Sequence, residues 1–174
     1  LNKFKKLYNK KKKIYANITF VDIAGLVKGA SKGEGLGNQF LSHIREVDAI
    51  IHLVRCFDSE KITHVNSKVD PLNDLDTIKT EIILSDIDVI QKKLDKNKKK
   101  ILKDDEIEIL KNKISLLNQG KEITIENEKE GRFLSNLGLL TIKPKIIVCN
   151  VDEASLSKGN KYTEIVKSNF AKEK

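Results

Sequence analysis

The sequence predicts an α/β fold: a buried sheet interrupted by an inserted antiparallel helical hairpin. Three apolar runs, at 18–23, 49–57 and 143–150, are rich enough in branched residues to read as strands buried on both faces. Between the second and third, Ile83, Ile87, Ile90 and Leu94 recur at steps of three and four, as do Ile107, Leu110, Ile114 and Leu117. Such seams join two packed helices. The 174 residues suffice for one core of ordinary size with a small appended unit.

Taken in order, residues 1–13 alternate lysine with Leu1, Phe4, Leu7 and Tyr8 at a spacing that predicts a short amphipathic helix. Ile18, Thr19, Phe20, Val21 and Ile23 read as the first buried strand, ending at a glycine-rich turn. In "NQFLSHIREVD", Phe40, Leu41, Ile44 and Val47 share one helical face. The strand "AIIHLVRCF" ends at Asp58, and Pro71 with Asn73 and Asp74 marks 58–75 as a polar loop. Residues 76–119 form the hairpin, each seam being too short for a long coiled coil, with "DKNKKKILKDDE" at its turn. A shorter helix, 126–140, leads to the strand "KPKIIVCN", and an amphipathic helix closes the chain from about residue 160. The expected division is a sheet domain from 1–75 and 136–174, with 76–135 inserted as a helical hairpin, or coiled-coil, domain.

The net charge of +8 is concentrated in two blocks. The first thirteen residues carry +7, and lysines 92, 93, 96, 98, 99, 100 and 103, less Asp95, carry +6, so the remainder is acidic. Only three of 33 basic residues are arginine, which a biased base composition in the source genome would also produce. No apolar run approaches the roughly 18 residues of a membrane span, and no secretory signal is visible. Cys56 and Cys149 lack metal-ligand spacing and read as buried reduced thiols, which gives a cytoplasmic expectation.

Asp22, at the carboxyl end of the first strand and followed by Gly25, has the layout by which P-loop nucleotidases hold magnesium and sense the terminal phosphate. Asp22 would reach Mg²⁺ through water, and the bare Gly25 amide would donate to the γ-phosphate. Alone, aspartate-x-x-glycine equally describes an ordinary strand-to-turn aspartate. A rival reading makes Gly33, Gly35 and Gly37 a dinucleotide fingerprint with Asp58 as the ribose acid. That fingerprint needs its first glycine at the strand end and a final x-x-G, and neither condition is met. At the end of the third apolar run, "IIVCNVDE" occupies the place of the Asn-Lys-x-Asp loop with which GTPases read guanine. Asn150 is kept, but Val151 and Glu153 replace the lysine and the aspartate. An accidental strand terminus or a base loop of altered specificity both fit.

"FVDIAGLVKGASKGEGLGNQFLSHIRE", "VRCF" with "ITHVNSKVDP", and "KPKIIVCNVDE" together resemble the YchF group of Obg-like ATPases over essentially the whole chain, including the inserted hairpin. The resemblance implies an incomplete P-loop nucleotidase sheet, or partial G domain. It also implies Mg²⁺ as cofactor, ATP preferred to GTP through the altered loop of Asn150, Val151 and Glu153, and a translation- or stress-linked switch. The family's phosphate loop, G-x-P-N-V-G-K-S, does not occur here, nor do its threonine-bearing switch segment and C-terminal TGS domain, so the chain reads as an internal fragment, probed alone expected to be inactive. Leu26 stands where Ras-like enzymes carry the glutamine that orients water. The resemblance maps that duty onto His64, whose imidazole suits it near neutral pH; a solvent-exposed loop histidine is the plain alternative. His43 and His52 read as structural. The binding-module alternative makes the basic hairpin a docking surface for ribosome or RNA, without catalysis.

Overall fold

The computed structural model describes residues 15–23, 36–59, 68–99 and 101–171. The expected N-terminal helix and the glycine-rich turn lie outside them. The elements are α1 (Leu36–Arg45), β1 (Ile50–Arg55), α2 (Pro71–Asp95), α3 (Asp104–Asn118), α4 (Glu128–Asn136), β2 (Lys145–Asn150) and α5 (Lys161–Ala171), with short 3₁₀ turns at Lys96–Lys99 and Glu153–Ser155. Among the described residues no helix is long and apolar enough to cross a membrane.

β1 and β2 pair in parallel, from Ile50 opposite Lys145 to Arg55 opposite Asn150. Side chains alternate across a strand. One face sends Val54 and Cys56, with Ile147 and Cys149, against Leu72 and Leu75 of α2 and Val166 and Phe170 of α5. The other face carries Ile51, Leu53, Ile146 and Val148, all exposed. These strands were expected to be buried on both faces, and among the described residues only one face is covered.

The first expected strand is also corrected. Residues 18–23 belong to no ladder, and Ile18, Phe20 and Val21 are exposed; only Ile23 packs, beside Leu41 and Ile44. β-propensity records how well a residue fits a pleated, half-buried surface. Among the described residues, the one ladder joins β1 to β2 and offers this run no such surface.

α2 starts at Pro71, five residues before the expected Asp76. The Pro71 and Asn73–Asp74 signals, read as loop, are a helix start: proline occupies the first turn and Asp70 caps it by accepting from Asn73 N at 3.2 Å. The helix then runs for 25 residues through three apolar clusters. Leu75 packs with the sheet, Ile78 and Ile82 with α1, and Ile83 and Ile90 with Leu110 and Leu117 of α3. The hairpin seams are therefore as the periodicity predicts.

α3 opens with Asp104, Asp105 and Glu106, favourable beside the positive helix end, and Glu106 Oε2 accepts from Lys103 N at 2.9 Å. α4 is shorter than its expected span, 126–140. Asn127 caps it by accepting from Glu130 N at 2.9 Å, and Gly138, at φ +66°, takes a left-handed conformation just after its end. Lys113 of α3 and Glu130 of α4 are both buried, and the ammonium lies 2.6 Å from Glu130 Oε1. No hydrogen-bond donor is aligned on that oxygen, so the contact is chiefly one of charge.

Candidate functional site

Parallel strands bring their carboxyl ends to one edge, and in open α/β sheets the loops leaving that edge form the binding crevice. Here the loops after β1 and β2 start side by side, and Cys56 N donates to Asn150 O at 2.7 Å. Arg55 braces the first loop, donating from Nε to Phe57 O at 3.0 Å while its guanidinium lies 4.9 Å from the centre of the Phe57 ring.

Three of the expected site residues sit on this edge. Asn150 ends β2 with its side chain exposed. Val151 turns inward and packs with Val54, Cys56 and Leu75. Asp152 caps the following 3₁₀ turn, its Oδ1 accepting from Ser155 N at 2.9 Å, which leaves the exposed Glu153 as the carboxylate directed to solvent. Asp22 is exposed, with no hydrogen-bond or ion-pair partner among the described residues. Gly25 and His64 lie outside the described residues.

A polar cluster that the sequence reading did not single out closes this edge. Asn160 accepts on Oδ1 from Tyr162 N at 3.0 Å and Thr163 N at 3.1 Å, capping α5. Its Nδ2 donates to Cys56 O at 2.7 Å and Ser155 Oγ at 3.3 Å, so one amide ties together both loops and the helix. Gly159 permits this entry: its φ is +72°, and a Cβ there would meet Thr163 Oγ1 at 2.6 Å. The Tyr162 hydroxyl donates to Asp58 at 2.6 Å, and Lys161 Nζ lies 3.4 Å from the same carboxylate. The tyrosine hydrogen bond, followed by the lysine, holds the Asp58 carboxyl below the usual carboxylate range. Asp58 thus faces α5, which counts against its rival assignment as a ribose acid. An asparagine directly before an amphipathic helix was the available signal for Asn160; the pairing of Asp58 with Tyr162, 104 residues apart, had none.

Nearby burial perturbs two further groups. Desolvation lowers the His52 imidazole below its ordinary value. Desolvation, then the neighbouring Cys149, pushes the Cys56 thiol up to about 12. The described residues contain no group of three or more acidic, histidine or cysteine side chains fit to hold a metal ion. A single exposed carboxylate such as Asp22 is a donor that suits a cation held through water rather than an all-protein cage.

Comparison with known proteins gives a consistent picture. The profile of the family described as 50S ribosome-binding GTPase matches residues 3–151. A Mycoplasma pneumoniae protein named "Ribosome-binding ATPase YchF" is 46% identical over 163 residues, covering 90% of this chain and 45% of the relative. The Bacillus subtilis protein of the same name is 45% identical over 169 residues, covering 92% and 46%. The structure titled "Structure of the Schizosaccharomyces pombe YchF GTPase" superposes with a TM-score of 0.74 at 35% identity, over 96% of this chain and 48% of that one. The chain thus spans just under half the length of these relatives. The mixed α/β fold is like that of the P-loop GTPase on which it superposes, and the chain belongs to the YchF family.

Proposed function

We propose that these residues supply part of the nucleotide site of an ATP-hydrolysing switch protein linked to translation or stress. The observation that carries this reading is the 150–153 loop, which leaves the carboxyl end of β2 beside the end of β1. Asn150 braces the loop. Val151 faces the apolar cluster where a GTPase would carry lysine, and Glu153 presents a longer carboxylate than the aspartate that grips guanine. Asp22 holds Mg²⁺ through water, the Gly25 amide meets the γ-phosphate, and His64 orients the attacking water.

In a full-length chain carrying this sequence, Glu153→Asp together with Val151→Lys raises GTP affinity relative to ATP by about 1–3 kcal/mol, the worth of one regained charge-assisted contact. Because Val151 packs inward, the lysine also costs stability, and Glu153→Asp alone is the cleaner variant. Paired titrations of both nucleotides measure the effect; a preference that does not move overturns the base-loop assignment. In the same protein His64→Ala lowers turnover by roughly one to three orders of magnitude with ATP affinity retained. Parental turnover would return His64 to an ordinary loop role. The 174 residues alone bind Mg-ATP feebly, because the family's phosphate loop does not occur in them; micromolar affinity by calorimetry would contradict this.

A specific observation favours a second activity beside the first. Lys92, Lys93, Lys96 and Lys103 are exposed around the hairpin turn, and Ile101 among them is 72% exposed. No core requires these residues, whereas a phosphate backbone with an apolar contact would use them. This fits the relatives named as ribosome-binding proteins. Charge reversal at the four lysines weakens ribosome or RNA association at low salt and leaves ATPase activity alone; unchanged cosedimentation favours a compositional origin of the lysines.

A further inference from the structure

At the amino ends of the strands, away from the candidate site, α1, α2 and the 138–144 segment meet at one ion pair whose carboxylate is buried and whose guanidinium is partly buried. Asp86 of α2 is fully buried, and its two oxygens take four donors. Oδ1 accepts from Arg45 Nη1 at 3.1 Å and Leu140 N at 3.0 Å; Oδ2 accepts from Thr141 N and Thr141 Oγ1, both at 2.8 Å. Arg45, the last residue of α1, also donates through Nη2 to Ser85 Oγ at 2.6 Å and Ser85 O at 3.3 Å, and through Nη1 to Gly138 O. Beside this node, Ile50 N donates to Pro144 O at 2.9 Å and Lys143 Nζ donates to Val47 O.

From these contacts we infer that the Arg45–Asp86 pair is a joint that fixes α1 to α2 in one register, so that the two helices move as one body and a displacement of α1 is delivered to the hairpin. Of the described side chains of α1, Leu41 and Ile44 are buried in the apolar contact with Ile82 and Leu140. Such a contact is non-directional and tolerates sliding. The planar guanidinium fork does not: Asp86, Ser85 and Gly138 are reached together in one position only. A buried pair adds little net stability over apolar residues of the same volume, so specificity of position is what this one contributes. The receiving element is one continuous helix. α2 runs without a break from the sheet, past Ser85 and Asp86, into the α2–α3 seam, so motion at its middle is carried to the hairpin turn. If nucleotide moves α1, this joint conveys the response to the basic turn; that step rests on the proposed function, whereas the joint itself does not.

Native-state hydrogen exchange on the 174-residue chain tests the joint without any ligand. In the unaltered chain, amides of residues 36–45 and 78–90 share one opening event, with the same denaturant dependence. Arg45→Lys keeps the charge but loses the fork, so the 36–45 amides exchange about tenfold faster or more while the seam at 83–94 and 107–117 keeps its parental rate. Ser85→Ala removes one neutral acceptor and gives a smaller shift of the same kind, which covers the case of Arg45→Lys failing to fold. Independent opening of the two helices in the unaltered chain, uniform acceleration of every segment, or no change in either variant would overturn the proposal. Failure of ATP binding would leave the exchange pattern as it is and count only against the nucleotide reading.

Discussion

The hairpin and the sheet are built from similar aliphatic residues but differ in what completes them. In the hairpin, Ile90, Leu110, Leu117, Leu134 and Leu139 are at most 1% exposed, and α2, α3, α4 and the adjoining loop residues Ile123 and Leu139 build that cluster. In the sheet, Ile51 and Leu53 remain 51% and 62% exposed on a face that no described element covers. A helix satisfies its own backbone and needs only a matching stripe, so sequence neighbours can close its core. A strand needs a hydrogen-bonding neighbour and cover on each face, drawn from distant parts of the chain.

The largest expected effect falls on the hairpin's buried charge pair. Lys113→Ala leaves Glu130 buried without its cation and costs about 3–5 kcal/mol. Chemical denaturation measures it; a cost below about 1 kcal/mol would mean that water reaches Glu130 and that the hairpin core is less closed than its burial indicates. Next, Leu110→Ala lowers stability by about 2–5 kcal/mol, whereas Leu53→Ala, on the open face, stays within about 0.5 kcal/mol. Equal losses in the two variants would break the comparison, because they would show that the outer face of the sheet is covered in solution.

Smaller effects come from the covered face. His52 titrates below its ordinary 6.5 because burial disfavours the imidazolium. The unfolded chain therefore takes up the proton first, so this contribution is complete above pH 6.5 and is lost as pH falls through 6.5 toward the lower folded value. His52→Gln flattens the pH dependence of stability in that window; an unchanged slope would assign it to other groups. Smallest in energy, but readily seen, is the behaviour of Cys56. With its thiol held up to about 12 and its side chain fully buried, alkylation at pH 8 proceeds only through opening of the fold, more slowly than at the partly exposed Cys149. Equal labelling rates would show that the covered face is itself loosely held.

The candidate site was legible in part, and the division follows the same physical line. The place of Asn150, Val151 and Glu153 at the end of β2 could be read because they adjoin an apolar strand, and the base-loop role proposed for them rests on the order of residues along one loop. The inward turn of Val151 could not be read, since it depends on Leu75 and Val166 arriving from other elements. Asp152 and Glu153 are adjacent carboxylates that look equivalent in sequence. Only the 3₁₀ turn shows that the first caps a backbone amide and the second faces solvent.

By itself the sequence determined the hairpin seams, the two strands that pair, the helix of residues 161–171 and the family motifs, since each is a pattern of near neighbours with a fixed period. The start of α2 at Pro71 was also written locally, as an aspartate cap before a proline, although those residues equally describe a turn. Tertiary structure alone decided that residues 18–23 lie outside the ladder, that one sheet face is covered and the other open, and that Asp58 serves Tyr162. It alone also brought Arg45, Asp86 and Gly138 into one partly buried node across 93 residues of chain. A strand, a covered face and a buried charge pair each require a partner whose position is set by the packing of whole elements, and no local period encodes that position.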